Sequence, residues 1–358
     1  MKKTSILLRL VLGLVMAALL VACGGQPAPA DGPGGEADTD TETGSDEGGS
    51  GPFRVAAVMP STVNDLAFSQ ALYDGLITIQ EERGEENFEI VYSENMFVVD
   101  DAAAALRDYA TQGFDLVIAH GSQYGSSLVE IAPDFPDTSF AWGTTVDTFA
   151  DQGINNVFAY TVISNEGAYV EGVVAAMLTE TGTLGVIGPI PAGDALLTVE
   201  GFAVGARAQD PDIEVLITNT GSFSDVALAA EAAQTHIDAG ADILTGTGQM
   251  VVGAIGVVDE RGALWFGNQA AQTSLAPDNV IGNQVYDMSV ILRPMIEEVE
   301  SGTLGGEVYY LTLANGGLHI EFNPDFDLPD EVRQKAEETI EGIIAGEIDA
   351  SIDQGGVT

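Results

Sequence analysis

From residue 53 onward, short apolar runs alternate with longer stretches whose apolar positions recur every three or four residues. The runs Phe53–Met59, Phe88–Tyr92, Asp115–Ala119 and Ser139–Trp142 read as strands, and residues 64–83, 100–112 and 123–131 between them read as helices. After a strand at Asn155–Val162 the alternation resumes, with helices over 164–180, 194–208, 224–239 and 250–261 and strands over 183–188, 213–218, 242–246 and 263–267. Strands joined by helices of this length imply parallel sheets with right-handed crossovers, an α/β fold.

The pattern also repeats at a coarser scale. Gly113-Phe114-Asp115-Leu116-Val117 follows an Ala-rich helix and runs through a strand to Gly121-Ser122-Gln123. Gly240-Ala241-Asp242-Ile243-Leu244 follows another and runs to Gly248-Gln249. Two similar lobes in tandem explain this, with chance recurrence of a common βα unit as the alternative. Open parallel sheets bind ligands beyond the carboxyl ends of their strands, so two facing lobes would enclose a ligand and close on it by a hinge. The expected division is 52–162 plus about 287–318 for one lobe and 163–286 plus about 319–349 for the other, with crossings near 161–164, 285–289 and 317–320.

Ahead of this region the pattern is different. Lys2, Lys3 and Arg9 precede an uninterrupted apolar stretch from Val11 to Ala22, the plan of a secretory signal. Leu20-Val21-Ala22-Cys23 resembles a bacterial lipobox, and Cys23 is the sole cysteine of the chain. The expectation is a signal peptide over 1–22, lipidation of Cys23, and attachment to the outer face of the cell membrane. Residues 23–51 are, apart from Cys23 and Gln26, Gly, Pro, Ala, Ser, Thr, Asp and Glu with no aromatic and no large aliphatic residue, too poor in apolar surface to offset ordering entropy, and read as a tether.

Charge narrows the range of partners. The chain carries 55 acidic residues against 11 basic ones, a formal charge of −44. Nucleic acid is excluded as a partner, because counterion release needs Lys and Arg on the phosphates. Anionic membrane surfaces and strongly anionic substrates are disfavoured on the same ground. The acids are scattered over helix faces, which suits an exposed protein working in high salt, where self-repulsion is screened. No EF-hand loop or dense Asp-x-Asp-x-Asp array occurs, so no metal site is expected.

A catalytic site is hard to assemble. His120, His236 and His319 lie far apart without metal spacing, and no nucleophile elbow, phosphate-binding Walker loop or His-Glu-x-x-His motif is present. Gly246-Thr247-Gly248-Gln249 opens like a dinucleotide fingerprint but lacks the third glycine. Neither catalytic residues nor a cofactor are expected. Binding groups, by contrast, gather where strands end: Asp65, Phe68 and Ser69; Gly121, Ser122 and Tyr124; Trp142; Phe223; Gly248 and Gln249; Asn268 and Gln269. Rings with amides and hydroxyls suit a flat, neutral, hydrogen-bonding ligand, and no basic residue lies in these loops to meet a phosphate or carboxylate. Sugars also use aromatic faces and amides. For Asp65 the competing role is helix capping, with Asn64 the other candidate cap; for Phe68 it is core packing.

These residues resemble the basic membrane protein (Bmp/Med) substrate-binding lipoproteins, which include purine nucleoside receptors of ABC transporters. The family motif Asp-x-Ser-Phe-Asn-Gln-x-x-Tyr-x-Gly corresponds to Asp65-Leu66-Ala67-Phe68-Ser69-Gln70-Ala71-Leu72-Tyr73-Asp74-Gly75. Glu166-Gly167-Ala168-Tyr169-Val170-Glu171-Gly172, Gly201-Phe202-Ala203-Val204-Gly205, Gly221-Ser222-Phe223-Ser224-Asp225 and Gly240-Ala241-Asp242 match further family segments in order. The resemblance implies a type I periplasmic-binding-protein fold, monomeric by default, that delivers a small-molecule ligand to an ABC permease. It also implies that rings at Phe68 and Phe223 sandwich a purine base, with Asp65 at the pocket edge. Two positions depart from the pattern. Ser69 replaces the usual Asn, and the loop whose first Asp accepts ribose hydroxyls in the family reads Gly267-Asn268-Gln269-Ala270-Ala271-Gln272, with Gln269 in its place. Within the family, these departures point to a purine base or nucleoside-like heterocycle read by amides. A sugar receptor of the same fold and a ligand-sensing lipoprotein without transport are the alternatives.

Overall fold

The computed structural model describes residues 51–352. The expected signal, Cys23 and nearly all of the tether lie outside them. Within this range the chain forms strand β1 (Phe53–Val58), helix α1 (Phe68–Arg83), β2 (Phe88–Ser93), α2 (Val99–Thr111), β3 (Leu116–Ala119), α3 (Gly125–Ile131), β4 (Ser139–Gly143) and β5 (Val157–Val162). A second series follows: α4 (Asn165–Leu178), β6 (Thr183–Gly188), α5 (Gly193–Gln209), β7 (Glu214–Asn219), α6 (Val226–Asp238), β8 (Ile243–Gly246), α7 (Val251–Arg261), β9 (Leu264–Gln269) and β10 (Val280–Tyr286). The chain ends with α8 (Ser289–Ser301), β11 (Val308–Leu311), β12 (Leu318–Phe322) and α9 (Asp330–Ile344).

The strands form two six-stranded sheets, ordered β2-β1-β3-β4-β5-β11 and β7-β6-β8-β9-β10-β12. The order is the same in both, which gives the sequence echo between Gly113–Val117 and Gly240–Leu244 a structural counterpart: each segment leads into the third strand of its series. Every pairing is parallel except β10 with β12, where Tyr286 faces Leu318 in antiparallel register. Because β5, β10 and β11 are each followed by an element that packs on the other sheet, the chain passes between lobes three times. Helix α8 returns to pack on α1, and the ion pairs Arg293–Glu82 and Arg83–Glu300 join the two helices on their exposed side.

The central strands are buried on both faces and read as continuous apolar runs: Val55 to Met59 and Leu116 to Ala119 are fully covered. Helix α4 is buried almost all round, and it crosses α5 at a distance that only glycine permits. A Cβ on Gly172 would lie 2.1 Å from the Phe202 carbonyl oxygen, and one on Gly205 would lie 2.1 Å from the Tyr169 carbonyl oxygen. The family-like segments around Gly172 and Gly205 therefore have a packing cause: they are the two sides of one helix crossing. Among the described residues no helix is long and apolar enough to cross a membrane.

One expected boundary is corrected. The first helix starts at Phe68, not at residue 64, because residues 60–67 are spent on turns in which Leu66 takes a left-handed conformation with φ 53°. Elements after residue 267 have no counterpart among the expected strands and helices, although β12 (Leu-His-Ile-Glu-Phe) alternates apolar and polar residues. The glycine geometry gives an expected outcome. Gly205→Ala should destabilise the protein by about 2 kcal/mol through overpacking, whereas Gly256→Ala should stabilise it by up to about 1 kcal/mol. Gly256 is exposed within α7 and has nothing within 4 Å of its Cβ position. Chemical denaturation of the two variants beside the parent checks both signs.

Candidate functional site

A cavity of about 330 Å³ opens where the carboxyl ends of the two sets of strands face each other. Pro60 after β1, Phe68 at the start of α1, Phe97 before α2, Gly121, Ser122 and Gln123 after β3, and Thr144 after β4 line one side. Ile190 and Ala192 to Ala195 after β6, Phe223 after β7, Gly248 and Gln249 after β8, and Gln269 at the end of β9 line the other. The lobes meet at its margins. Gln272 Nε2 donates to the Leu66 carbonyl at 3.0 Å, and a Cβ on Gly193 would lie 3.7 Å from that of Thr144.

Phe68 is backed by a fixed stack. The His120 ring lies parallel beneath it, with centroids 3.7 Å apart, and Tyr160 continues the stack at 6.0 Å. His120 Nε2 sits 2.8 Å from the Phe68 carbonyl and Nδ1 sits 2.6 Å from Tyr160 Oη. Complete burial lowers the His120 pKa to about 3, so the ring is neutral. A carbonyl only accepts, so the proton is on Nε2 and Nδ1 accepts from the Tyr160 hydroxyl. His120 is thus a positioning group for Phe68 beneath the cavity wall, in line with a hydrogen-bonded structural role.

Phe68, Gly121, Ser122, Phe223, Gly248, Gln249 and Gln269 come together in the cavity lining, while the other expected binding residues do not reach it. Asp65 is spent on the loop before α1: its carboxylate accepts from the backbone N–H groups of Ala67, Ser69 and Gln70. Burial raises its pKa, and those N–H groups oppose the rise. Ser69 is fully buried and accepts from the Ser61 N–H. Tyr124 turns into the core and donates to the Met96 carbonyl at 2.7 Å, which anchors the segment carrying Phe97. Trp142 packs beneath the cavity loop: it stacks on Phe149, lies against Gly125 and donates to the Gly121 carbonyl. Asn268 is buried in the second sheet, where it donates to Thr245 and accepts from Gln284. These side chains were placed at strand ends by spacing alone, which does not say whether a side chain points to the rim or into the lobe.

Gln269 does reach the cavity, and its backbone pays for that position with a left-handed φ of 75°. Its Oε1 lies 3.4 Å from the Gly248 N–H. Sequence reasoning missed Phe97, Ile190 and Asp194. Phe97 and Ile190 are exposed at the rims of opposite lobes, and nothing in their spacing marks them. Asp194 is the one titratable side chain in the lining, and a signal was available, since it opens a helix directly after a strand end.

Asp194 is only 7% exposed, its Oδ2 has no hydrogen-bond partner, and burial raises its pKa to about 6. The sign follows from linkage. At a pH below the ordinary value of 3.8 the group is protonated in both folded and unfolded chains and costs nothing; as pH rises through about 6 the folded chain must ionise a buried carboxyl. Asp194→Asn should therefore stabilise the ligand-free protein relative to the parent by about 3 kcal/mol near neutral pH. That gain should vanish near pH 4, and parallel denaturation curves at the two pH values would check it.

The comparisons with known proteins agree with this architecture. The profile of the Bmp family, described as ABC transporter substrate-binding protein PnrA-like, matches residues 53–353. A purine-binding protein from Brucella abortus is 29% identical over 263 residues, covering 74% of this chain and 73% of that protein. A candidate ABC transporter glucose-binding protein from Haloferax volcanii is 23% identical over 296 residues, covering 82% and 73%. In structure, an ABC transporter solute-binding protein from Aeropyrum pernix superposes with a TM-score of 0.70 at 22% identity, over 85% of this chain and 95% of that one. With two parallel lobes, a cavity between their strand ends and a family match over nearly all described residues, the chain belongs to the Bmp family of PnrA-like ABC transporter substrate-binding proteins.

Proposed function

We propose that this protein is an extracytoplasmic receptor, anchored through a lipidated Cys23, that captures a purine base or nucleoside between its lobes and hands it to an ABC permease. No chemistry is performed on the ligand. The observation that carries the reading is the makeup of the cavity: Phe68 from one lobe and Phe223 from the other, joined by the amides Gln123, Gln249 and Gln269, with no basic residue in the lining. Aromatic faces with a few amides suit an uncharged ring, and the absence of Arg and Lys removes the usual partners of a phosphate or carboxylate. A volume of about 330 Å³ is at the lower end of small-molecule sites, about 300–1,000 Å³. The Brucella relative named for purine binding supports this ligand class.

Gln269 stands where an acid would meet a ribose diol in the family, and its oxygen faces the Gly248 N–H. An uncharged amide there favours the base over the sugar as the recognised part. A second reading, a sugar ligand, is favoured by the Haloferax relative named for glucose. A strongly acidic chain, at −44, suits work in high salt.

Thermal shift of the purified protein in molar salt separates the two, against purine and pyrimidine bases, nucleosides and common sugars. A ligand at a hundredfold excess over Kd adds ~2.7 kcal/mol of stability, a shift of several degrees. Purines should give it, and a shift with sugars alone would discard the purine reading while keeping the receptor role. Phe223→Ala should weaken the best purine ligand about tenfold by removing one stacking face. Gln269→Ala should weaken it several-fold, and unchanged affinity for every purine would show that this loop does not read the base.

A further inference from the structure

Two large apolar side chains of the cavity lining remain open to solvent. Phe97 is 40% exposed and Ile190 is 45% exposed, whereas Phe68 in the same lining is 7% exposed. They belong to opposite lobes, with Phe97 between β2 and α2 and Ile190 between β6 and α5. A single exposed apolar residue is ordinary on any protein surface. Two that border one opening from either side are a different matter, above all in a chain with 55 acidic residues to place outside.

Neither side chain is exposed because its backbone is loose. The Met96 N–H donates to the Met59 carbonyl at 3.0 Å, and the Met96 carbonyl accepts from Tyr124 Oη at 2.7 Å. The residue before Phe97 is thus tied at both of its backbone polar groups. Ile190 lies between Pro189 and Pro191, so its neighbours have fixed φ angles and it is itself held extended. The Pro189 carbonyl accepts from the Gly221 N–H at 3.3 Å, and the Ile190 carbonyl accepts from the Ala192 N–H at 2.8 Å. Three residues further on, Gly193 lies against Thr144 of the other lobe. The loop that carries Ile190 already stands at a seam between the lobes. Hinge closure there would carry its side chain towards the Phe97 side of the opening. Covering both side chains removes apolar surface from water, a gain that only the closed form collects.

Resting on the receptor reading above and on no particular ligand, we propose that Phe97 and Ile190 form an apolar latch across the mouth of the cavity. The two side chains meet over a bound molecule and set how long it stays. Entry takes place while the lobes are apart, so the latch acts on release and leaves association alone.

The test is a double-mutant cycle on release kinetics. The parent, Phe97→Ala, Ile190→Ala and the double variant are loaded in molar salt with radiolabelled adenine, adenosine, guanine or guanosine, and with glucose in parallel. Release is followed after dilution into unlabelled compound. Each single substitution should speed release about tenfold and change the association rate less than about twofold. The double variant should release no more than about threefold faster than the faster single variant, because either truncation already breaks the contact. Phe97→Leu, still apolar, should stay within about threefold of the parent. Ligand-free variants should melt within about 2 °C of the parent, as exposed positions do, which separates faster release from loss of fold. Release at the parental rate in both single variants overturns the latch, and so does slower association with unchanged release. Multiplication of the two effects towards about a hundredfold in the double variant also overturns it, since that means two independent contacts with the ligand. Retention of glucose alone discards the purine reading, and the same ratios measured on glucose then decide the latch.

Discussion

Parallel pairing of the strands is the constraint on which the rest of the molecule depends, because it delivers every strand end of a sheet, that of β12 excepted, to the same rim. A parallel sheet needs a helix between successive strands, and the helix must return the chain to the starting edge. All loops that can bind are then on one side of each lobe, and those that carry the return are on the other. With two sheets of identical order, the two binding rims can face each other. The cavity walls come from the segments at or after the ends of β1, β2, β3 and β4 on one side and of β6, β7, β8 and β9 on the other, with no contribution from strand starts.

The walls are held by groups that never touch the cavity. His120 and Tyr160 support Phe68 from behind, and Asp65 ties down the loop that leads into it. Asn268 and Gln284 fix the end of β9 just before Gln269 turns out. The tight crossing of α4 and α5, made possible by Gly172 and Gly205, sets where the first turn of α5 presents Asp194. Family-like residues at these places serve construction at least as much as recognition.

The charge of the protein and the charge of its cavity are separate matters. Acids cover the outside, where salt and water screen them, and the few that are buried carry raised pKa values. Burial lifts the pKa of Glu171 well above the ordinary carboxyl value and that of Asp194 to about 6. Glu171, on α4, accepts from Asn268 and stays buried between that helix and the second sheet. Asp194 borders the cavity with its Oδ2 covered.

The α/β class, the repeat of two lobes and the strand-end location of the candidate site were legible in the chain, because they follow from periodicity and from punctuation by glycine and polar residues, which are local properties. Phe68, Phe223, Gln249 and Gln269 could be picked out on that basis. Direction could not. Tyr124, Trp142 and Asn268 stand at strand ends by the same count, yet turn inward to Met96, Gly121 and Thr245, partners that lie 20 or more residues away in sequence. Phe97, Ile190 and Asp194 join the site only because two rims meet. The last strands, β11 and β12, pair with β5 and β10 respectively, and which sheet each joins is decided by tertiary structure. Local sequence set what each segment is. Tertiary structure decided which way its side chains point, since that depends on neighbours that only folding brings into contact.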